Sequence, residues 1–382
     1  MKIVVVASFF PYPAHFGGAY DVLERIKGLK YLGHDVDLIC TCKEKPDDKN
    51  VLFMKQFINE LIIVPRKNKL GYIFYREPLQ AVSRKLLKKI TLQREYDYAI
   101  LESESVGKIL ENNSLKAKKI ILRVHNNEAN YFNELSKSTK NFKNKIYYYL
   151  ESLKFKSYSR NIFKQSDRLW FISNKEINNI KDLDLSNKSI HLPASVNSKF
   201  VKQELSTKNV LYVGALFVPN NMEAIIWYLK NVHSLLVDEH NYKLTIVGST
   251  GEFESETYQK ILAGYSNVEI FLNQKDLSNH YSNATVFINP MLHGAGVKLK
   301  SINAIQNGLV LVSSKTGAEG IGLIKNEMYL EAMSPNDFVK AILKVFKMKI
   351  EDKQEMVANA QHFLNQNNYL SILKNEFQDE QK

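Results

Sequence analysis

Twice along this chain, short unbroken runs of aliphatic and β-branched residues alternate with amphipathic helical segments. No other feature restricts the fold as much. The opening KIVVVASFF is continuous and β-branched, the pattern of a strand buried on both faces in a parallel sheet. AYDVLERIKGLKYLGH follows as an amphipathic helix. DVDLIC, ELIIVP, YDYAILES, KKIILRVHN and RLWFIS read as further strands, and one long helical stretch is expected between Asn127 and Gln165. A second alternation starts at KNVLYVGAL and runs through NMEAIIWYLKNVHSLL, YKLTIVG, ETYQKILAGY, NVEIFL, DLSNHYSNA and TVFINP to GLVLVSS. This predicts an α/β chain with two doubly wound parallel sheets. Its 382 residues exceed one ordinary hydrophobic core and fit two domains. The expected division is 1–200, 201–365 and a C-terminal helix, 366–382, packing back on the first domain.

In open parallel sheets, ligands bind beyond the carboxyl ends of the strands. Gly17 and Gly18, His125 to Glu128, Gly214, Gly248 and the loop after TVFINP all fall there. That loop opens HGAGVKLKSINAIQNG, from His293 to Gly308. Glycines let backbone N–H groups approach an anion, and a helix N-terminus adds a positive dipole end. Lys298 and Lys300 add charge, and as alternate residues one can face in and the other out. The loop is neither a Walker loop nor a full dinucleotide fingerprint, so phosphate binding and a tight turn are both open readings of it.

His125 can serve a sugar hydroxyl or simply end a strand, and Glu128 can be a cleft carboxylate or start a helix. Glu102 and Glu104 lie two apart, which puts both on one face of a strand end. Cys40 and Cys42 are the only cysteines, which argues against a disulfide framework and a zinc cluster and fits a reducing cytoplasm. The histidines show no metal-ligand spacing, so no metal is expected. No apolar run approaches the about 20 residues of a membrane span. The first residues read as a buried strand rather than a signal peptide.

Charge is uneven. Residues 1–200 hold 35 Lys/Arg against 21 Asp/Glu, and the remainder 17 against 19. An anionic partner for the first half is the expectation. The Lys- and Tyr-rich stretch from Lys137 to Lys164 suits either an anionic membrane surface or a solvated face over a core stripe. No nucleic-acid module is recognisable.

NPMLHGAGVKLKSINAIQNGLVLVSSKTGAEGIG resembles the donor-site signature of retaining GT-B glycosyltransferases, glycosyltransferase family 4. FFPYPAHFGGAYDVLERIKGLKYLGHDVDLI, ILRVHNNEANYFNEL, DRLWFISNKE, LPASVN and VLYVGALFVPNNMEAIIWYL are similar to its other segments in the same order. The resemblance implies two Rossmann-like domains facing a cleft, the first binding an acceptor and the second a nucleotide sugar. It implies retention, no metal and no cofactor beyond the donor substrate. By position, Gly294, Ala295, Gly296 and Val297 would offer backbone donors to the donor, and Lys298 would neutralise the leaving diphosphate. His125 would sit near the transferred sugar. Gly17, Gly18, Gly214, Asn273 and Glu319 would line the donor site. Asn303 stands where the family has a Glu for the donor ribose, and no Arg follows Gly214. The implied setting is surface-polysaccharide or glycolipid assembly, with a sugar or lipid-linked acceptor at the inner membrane face. The two departures leave a catalytically silent subunit as an alternative, and the shared fold leaves a nucleotide-sugar epimerase.

Overall fold

The computed structural model describes residues 1–14, 17–139, 141–178, 185–195, 199–251, 253–294 and 296–378. The chain divides into two units, Met1–Val196 with Tyr369–Lys382, and Asn197–Asn368. In the first, strands β1 (Lys2–Ala7), β2 (Asp35–Cys42), β3 (Leu61–Pro65), β4 (Glu95–Leu101), β5 (Lys116–Val124), β6 (Arg168–Phe171) and β7 (Ser189–His191) form one sheet. Its order is β3-β2-β1-β4-β5-β6-β7, and every pairing is parallel. Helices α1 (Gly17–Tyr31), α2 (Asp48–Met54), α3 (Leu79–Val82), α4 (Glu128–Ser138), α5 (Phe142–Gln165) and α6 (Asn174–Asn178) complete the N-terminal part.

Burial on both faces explains the unbroken apolar strands. Ile3, Val5 and Ala7 of β1 enter a core with Val22, Ile26 and Leu29 of α1. Val4 and Val6 enter the opposite core with Tyr158 and Ile162 of α5.

The second unit has strands β8 (Asn209–Ala215), β9 (Lys243–Ser249), β10 (Val268–Leu272), β11 (Val286–Asn289), β12 (Val310–Ser313) and β13 (Leu330–Glu331). Their order is β10-β9-β8-β11-β12-β13, again parallel throughout. Helices α7 (Pro219–Asn231), α8 (Ser255–Leu262), α9 (Ser278–Ser282), α10 (Leu299–Gln306), α11 (Pro335–Lys347) and α12 (Ile350–Gln366) belong to it. Each sheet therefore reverses its strand order once, between β1 and β4 and between β8 and β11, the places where such sheets take ligands.

One element differs from the sequence reading. The stretch from Asn127 to Gln165 is not one helix but α4 and α5. Thr139 is extended, and the Asn141 side chain caps α5 by accepting from Lys143 N at 3.0 Å and Asn144 N at 3.2 Å. Asn competes well for such backbone donors and so starts helices better than it continues them. The last helix, α13 (Tyr369–Gln378), buries Tyr369, Leu373 and Phe377 in the α1-side core. Phe377 packs edge-on to Tyr98 and Trp170. The Tyr369 hydroxyl donates to Glu24 O at 2.9 Å, and Glu376 pairs with Arg168.

The chain's two tryptophans fall one in each unit, Trp170 in β6 and Trp227 in α7. In a Trp227→Phe background, Trp170 fluorescence reports the first unit. There Phe377→Ala should cost about 3–5 kcal/mol, the usual loss for a truncated buried aromatic, read as a lower urea midpoint. An unchanged midpoint would show that α13 is dispensable to this core.

Candidate active site

At the β1–β4 switch point of the first unit lies a buried set of charges. Arg25, on α1, donates to Glu102 from Nε at 2.7 Å and from Nη2 at 2.9 Å. It also bonds Asp21 at 2.5 Å and Ser195 Oγ at 2.9 Å. Arg123, near the end of β5, reaches Asp21 at 3.3 Å and the Leu192 and Pro193 carbonyls. Burial would raise the Asp21 carboxyl, but Arg123 and Arg25 overcome it and hold Asp21 far below the usual carboxylate range. Burial likewise opposes Glu102, which Arg25 and His125 bring down to about 2.

His125 follows β5. Its Nε2 is 3.3 Å from Glu102 Oε2, and its Nδ1 is 3.4 Å from Asp21 Oδ2. Asp21, Glu102 and His125 thus bring three ligand-type atoms within 4.8 Å of one another. These carboxylates already accept from two guanidinium groups. A dication added beside two fixed positive charges would meet repulsion, so the set fits an ion-pair network better than a metal site.

Glu104 corrects the expectation of two carboxylates on one face. The chain leaves strand geometry after Leu101, and Glu104 opens a short 3-10 helix, Glu104–Glu111. Glu102 faces Arg25, while Glu104 neighbours Ser159, Glu128 and Glu176. Glu128 is the first residue of α4. Burial, then the neighbouring carboxylate Glu128, push Glu104 up to about 8. Burial also raises Glu128 to about 7, against the pull of Arg84. Glu104 Oε1 is buried and has no partner among the described residues.

At the β8–β11 switch point of the second unit stands the loop that follows Asn289. Gly294 has φ 141° and Gly296 φ 76°, conformations that side-chain-bearing residues rarely adopt. Two such turns delay the helix. Instead of starting at Gly296, α10 begins at Leu299 with Lys298 at its N-cap. The unpaired N–H groups of the first turn therefore come after residues 294–297, the expected donors. Ala295 lies outside the described residues, and Val297 is half-buried before the cap.

Lys298 is buried, with its ammonium donating to the Gly296 carbonyl. Lys300 donates to Asn221 Oδ1 at 2.7 Å and sits 5.0 Å over the Tyr212 ring. The two lysines therefore do not divide into one inward and one outward, since both turn onto the protein. Burial, reinforced by Lys298, lowers the Lys300 amine to about 7. Asn303 follows Lys300 by three residues, on the same helical face. It is half-buried, and its side chain has no hydrogen-bond partner among the described residues. Asn289, Ser301 and the Gly317 carbonyl interlock at 2.8–3.0 Å, fixing the GAEG turn against α10. Glu319 is half-buried in that turn.

Gly214 lies in β8, where a Cβ would come within 3.0 Å of the Tyr212 hydroxyl. Gly17 and Gly18 open α1. Asn273 bonds within its own unit. Its φ is 54°; its oxygen accepts from Thr250 N, and its NH2 donates to Thr250 and Ser255 hydroxyls. That amide knits two loops and leaves little for a ligand. The sequence reading passed over Asp21, Arg25, Arg123, Asn221 and Tyr212. Arg123 carried a signal, a cation inside an apolar strand.

Comparison with known proteins comes to the same architecture. A family model described as Glycosyl transferases group 1 matches residues 207–348. A Klebsiella pneumoniae protein of 44.6 kDa, known by its place in the cps region, is 38% identical over 379 residues and covers 96% of each chain. Among solved structures, the fold is shared with Staphylococcus aureus TarM bound to fondaparinux, α-GlcNAc-glycerol and UDP (TM-score 0.68, 10% identity, 99% of each chain). It is shared with sucrose-phosphate synthase of Thermosynechococcus elongatus (0.70, 14%, 100% of this chain and 99% of that one). Anabaena HepE in complex with UDP and glucose also matches (0.64, 11%, 100% and 99%).

Glu104 and Glu128 hold their protons to higher pH in the folded chain than the ordinary glutamate value of 4.5. Between that value and about 8 the folded state binds more protons, so stability is fully present below pH 4.5 and is lost as pH rises through about 7 to 8. Glu104→Gln should flatten this decline and raise the melting temperature at pH 8. A parallel decline in both proteins would remove Glu104 as its source.

Proposed function

The chain belongs to the group 1 glycosyl transferases of GT-B architecture, and we propose that it moves a sugar from a nucleotide-sugar donor to an acceptor hydroxyl with retention. The second unit takes the donor and the first takes the acceptor. The observation that carries this reading is the start of α10. Lys298 is buried there and Lys300 half-buried against Asn221, and Asn303 presents an uncommitted amide on the face of Lys300. A diphosphate would offset the burial, and after it the repulsion from Lys298, that lower the Lys300 amine, and the first-turn N–H groups would add to its binding. Asn303 Oδ1 would accept from a ribose hydroxyl, without the charge assistance that a carboxylate gives.

Lys298 and Lys300 supply the positive charge, so the reaction needs no metal and no cofactor. By the family resemblance, Gly214, Gly294, Ala295, Gly296, Val297 and Glu319 would line the donor position in the second unit. Within the first unit His125 is oriented by Glu102, and by the family resemblance it would serve the transferred sugar. The similarity to a cps-region protein supports surface-polysaccharide assembly, with a sugar or lipid-linked acceptor; the cytoplasm is the proposed setting. The competing reading is a silent subunit of the same fold, favoured by Asn303 and by Ala215 following Gly214. Thermal-shift screening against UDP-, GDP-, ADP-, dTDP- and CMP-sugars separates the two. Binding at a hundredfold excess over Kd adds about 2.7 kcal/mol, and silence across the set would favour the subunit.

Two outcomes test the site itself. The diphosphate of a nucleotide sugar does not titrate near neutrality, so its affinity should follow Lys300. It should be level below pH 7 and fall above it, approaching about tenfold per unit while only the free amine titrates. Lys300→Arg keeps its charge and should flatten the profile in calorimetry. A profile unaffected by that change would exclude Lys300 as the neutralising cation.

Asn303→Glu should tighten donor binding with an unchanged melting temperature. A lower melt with no gain in affinity would mean that Asn303 is structural and the donor site degenerate.

A further inference from the structure

Helix α5 is apolar on two opposite faces. Phe155, Tyr158, Ile162 and Phe163 face the core. Phe142, Ile146, Tyr149, Leu150 and Leu153 are exposed, Phe142 at 73% and Tyr149 at 52%. The exposed five follow one another at i, i+4, i+7, i+8 and i+11, which at about 100° per residue confines them to one stripe. The core already fills the other side, so this stripe has no intramolecular use. Cations border it. Lys143 lies along one edge, and Lys145 and Lys156 along the other. The helix has one acidic residue, Glu151, which is buried and paired with the half-buried Lys154 at 2.8 Å. Lys154 also donates to the Ile73 carbonyl at 2.7 Å. This joins to the stripe the segment carrying Phe74, which is 90% exposed.

We propose that this outer face of α5, extended by Phe74, docks on an anionic lipid bilayer. Aromatic and aliphatic tips on three successive turns would enter the headgroup–acyl boundary. The flanking lysines would lay their stems along the apolar surface and reach anionic headgroups. A second copy of the chain suits the face poorly, because a self-complementary contact would set these lysine rows against one another. Placement agrees with a lipid-borne acceptor. After α5 the chain enters β6 at its amino end, so the Phe142 end lies toward the carboxyl ends of the strands, where His125 and Glu102 stand. The surface rests on exposed residues alone; only its use for a lipid-linked acceptor depends on the transferase reading.

The test is co-sedimentation with phosphatidylcholine vesicles, plain or containing about one-third phosphatidylglycerol. The full chain should bind the anionic vesicles, and should release in about 0.5 M salt to the extent that charge holds it. The triple variant Phe74→Ser, Phe142→Ser, Leu150→Ser should bind about tenfold or more weakly. Its melting temperature and its nucleotide-sugar response should stay those of the parent. The charge variant Lys145→Glu, Lys156→Glu should lose binding to anionic vesicles and leaves every apolar contact in place. Equal binding to both lipids, no binding to either, or full binding by both variants would overturn the proposal. So would a concentration-dependent dimer that the triple variant abolishes, which would assign the face to a second copy. Failure here with an intact nucleotide-sugar response would leave the transferase reading standing.

Discussion

The Arg25 guanidinium, with no exposed surface, is the group on which the first unit's polar end depends. It joins Asp21 one turn earlier on α1, Glu102 after β4 and Ser195 after β7. An isolated charge in such a place would be prohibitively costly. Each member is therefore held by the others, and removing one strands its partners. Arg123 completes the balance, two guanidinium groups against two carboxylates. The position of α1 beyond Gly17 and Gly18, and the setting of His125 against Glu102, both follow from this closure.

The parallel strands were legible because burial on both faces leaves an unbroken apolar run, and the alternation with helices then restricts the topology. Polar detail inside those elements was less legible. Asp21 and Arg25 sit on an amphipathic helix at a spacing shared by countless solvated ion pairs. Only the arrival of Glu102, 77 residues further along, makes them interior. Glu102 and Glu104 show the same limit. Strand periodicity placed them together, and the bend after Leu101 sent them to different neighbours. The break between α4 and α5 lay in plain view as a Ser, Thr and Asn cluster, whose side chains compete with helical hydrogen bonding.

In the second unit the glycines carried conformational rather than chemical information. Positive φ at Gly294 and Gly296 turns the chain twice before α10, which moves the helix start to Lys298. That shift brings Lys300 over Tyr212 and against Asn221. Asn221, in the segment after Gly214 where no Arg stands, thus becomes a partner of that lysine. No residue pattern distinguished Lys298 from Lys300, since the distinction depends on what lies beneath each. Asn273 spends its amide on Thr250 and Ser255 for a related reason. An Asn in the left-handed region commonly closes a loop with its own amide.

The charge excess of the first 200 residues also changes meaning once it is placed. Arg25, Arg84 and Arg123 are buried and hold carboxylates, hydroxyls and carbonyls of their own unit, a use that suits a planar fork of donors. They say nothing about an external partner. What reaches the surface is chiefly lysine, and along α5 it borders an apolar stripe in which no acidic group is exposed. A whole-chain count merges these two populations. A purely solvated helix would also have no reason to keep Phe142, Tyr149 and Leu150 in water when its other face already fills the core. Lysine rows bordering an unburied apolar stripe, rather than net charge, point to the kind of surface this unit meets.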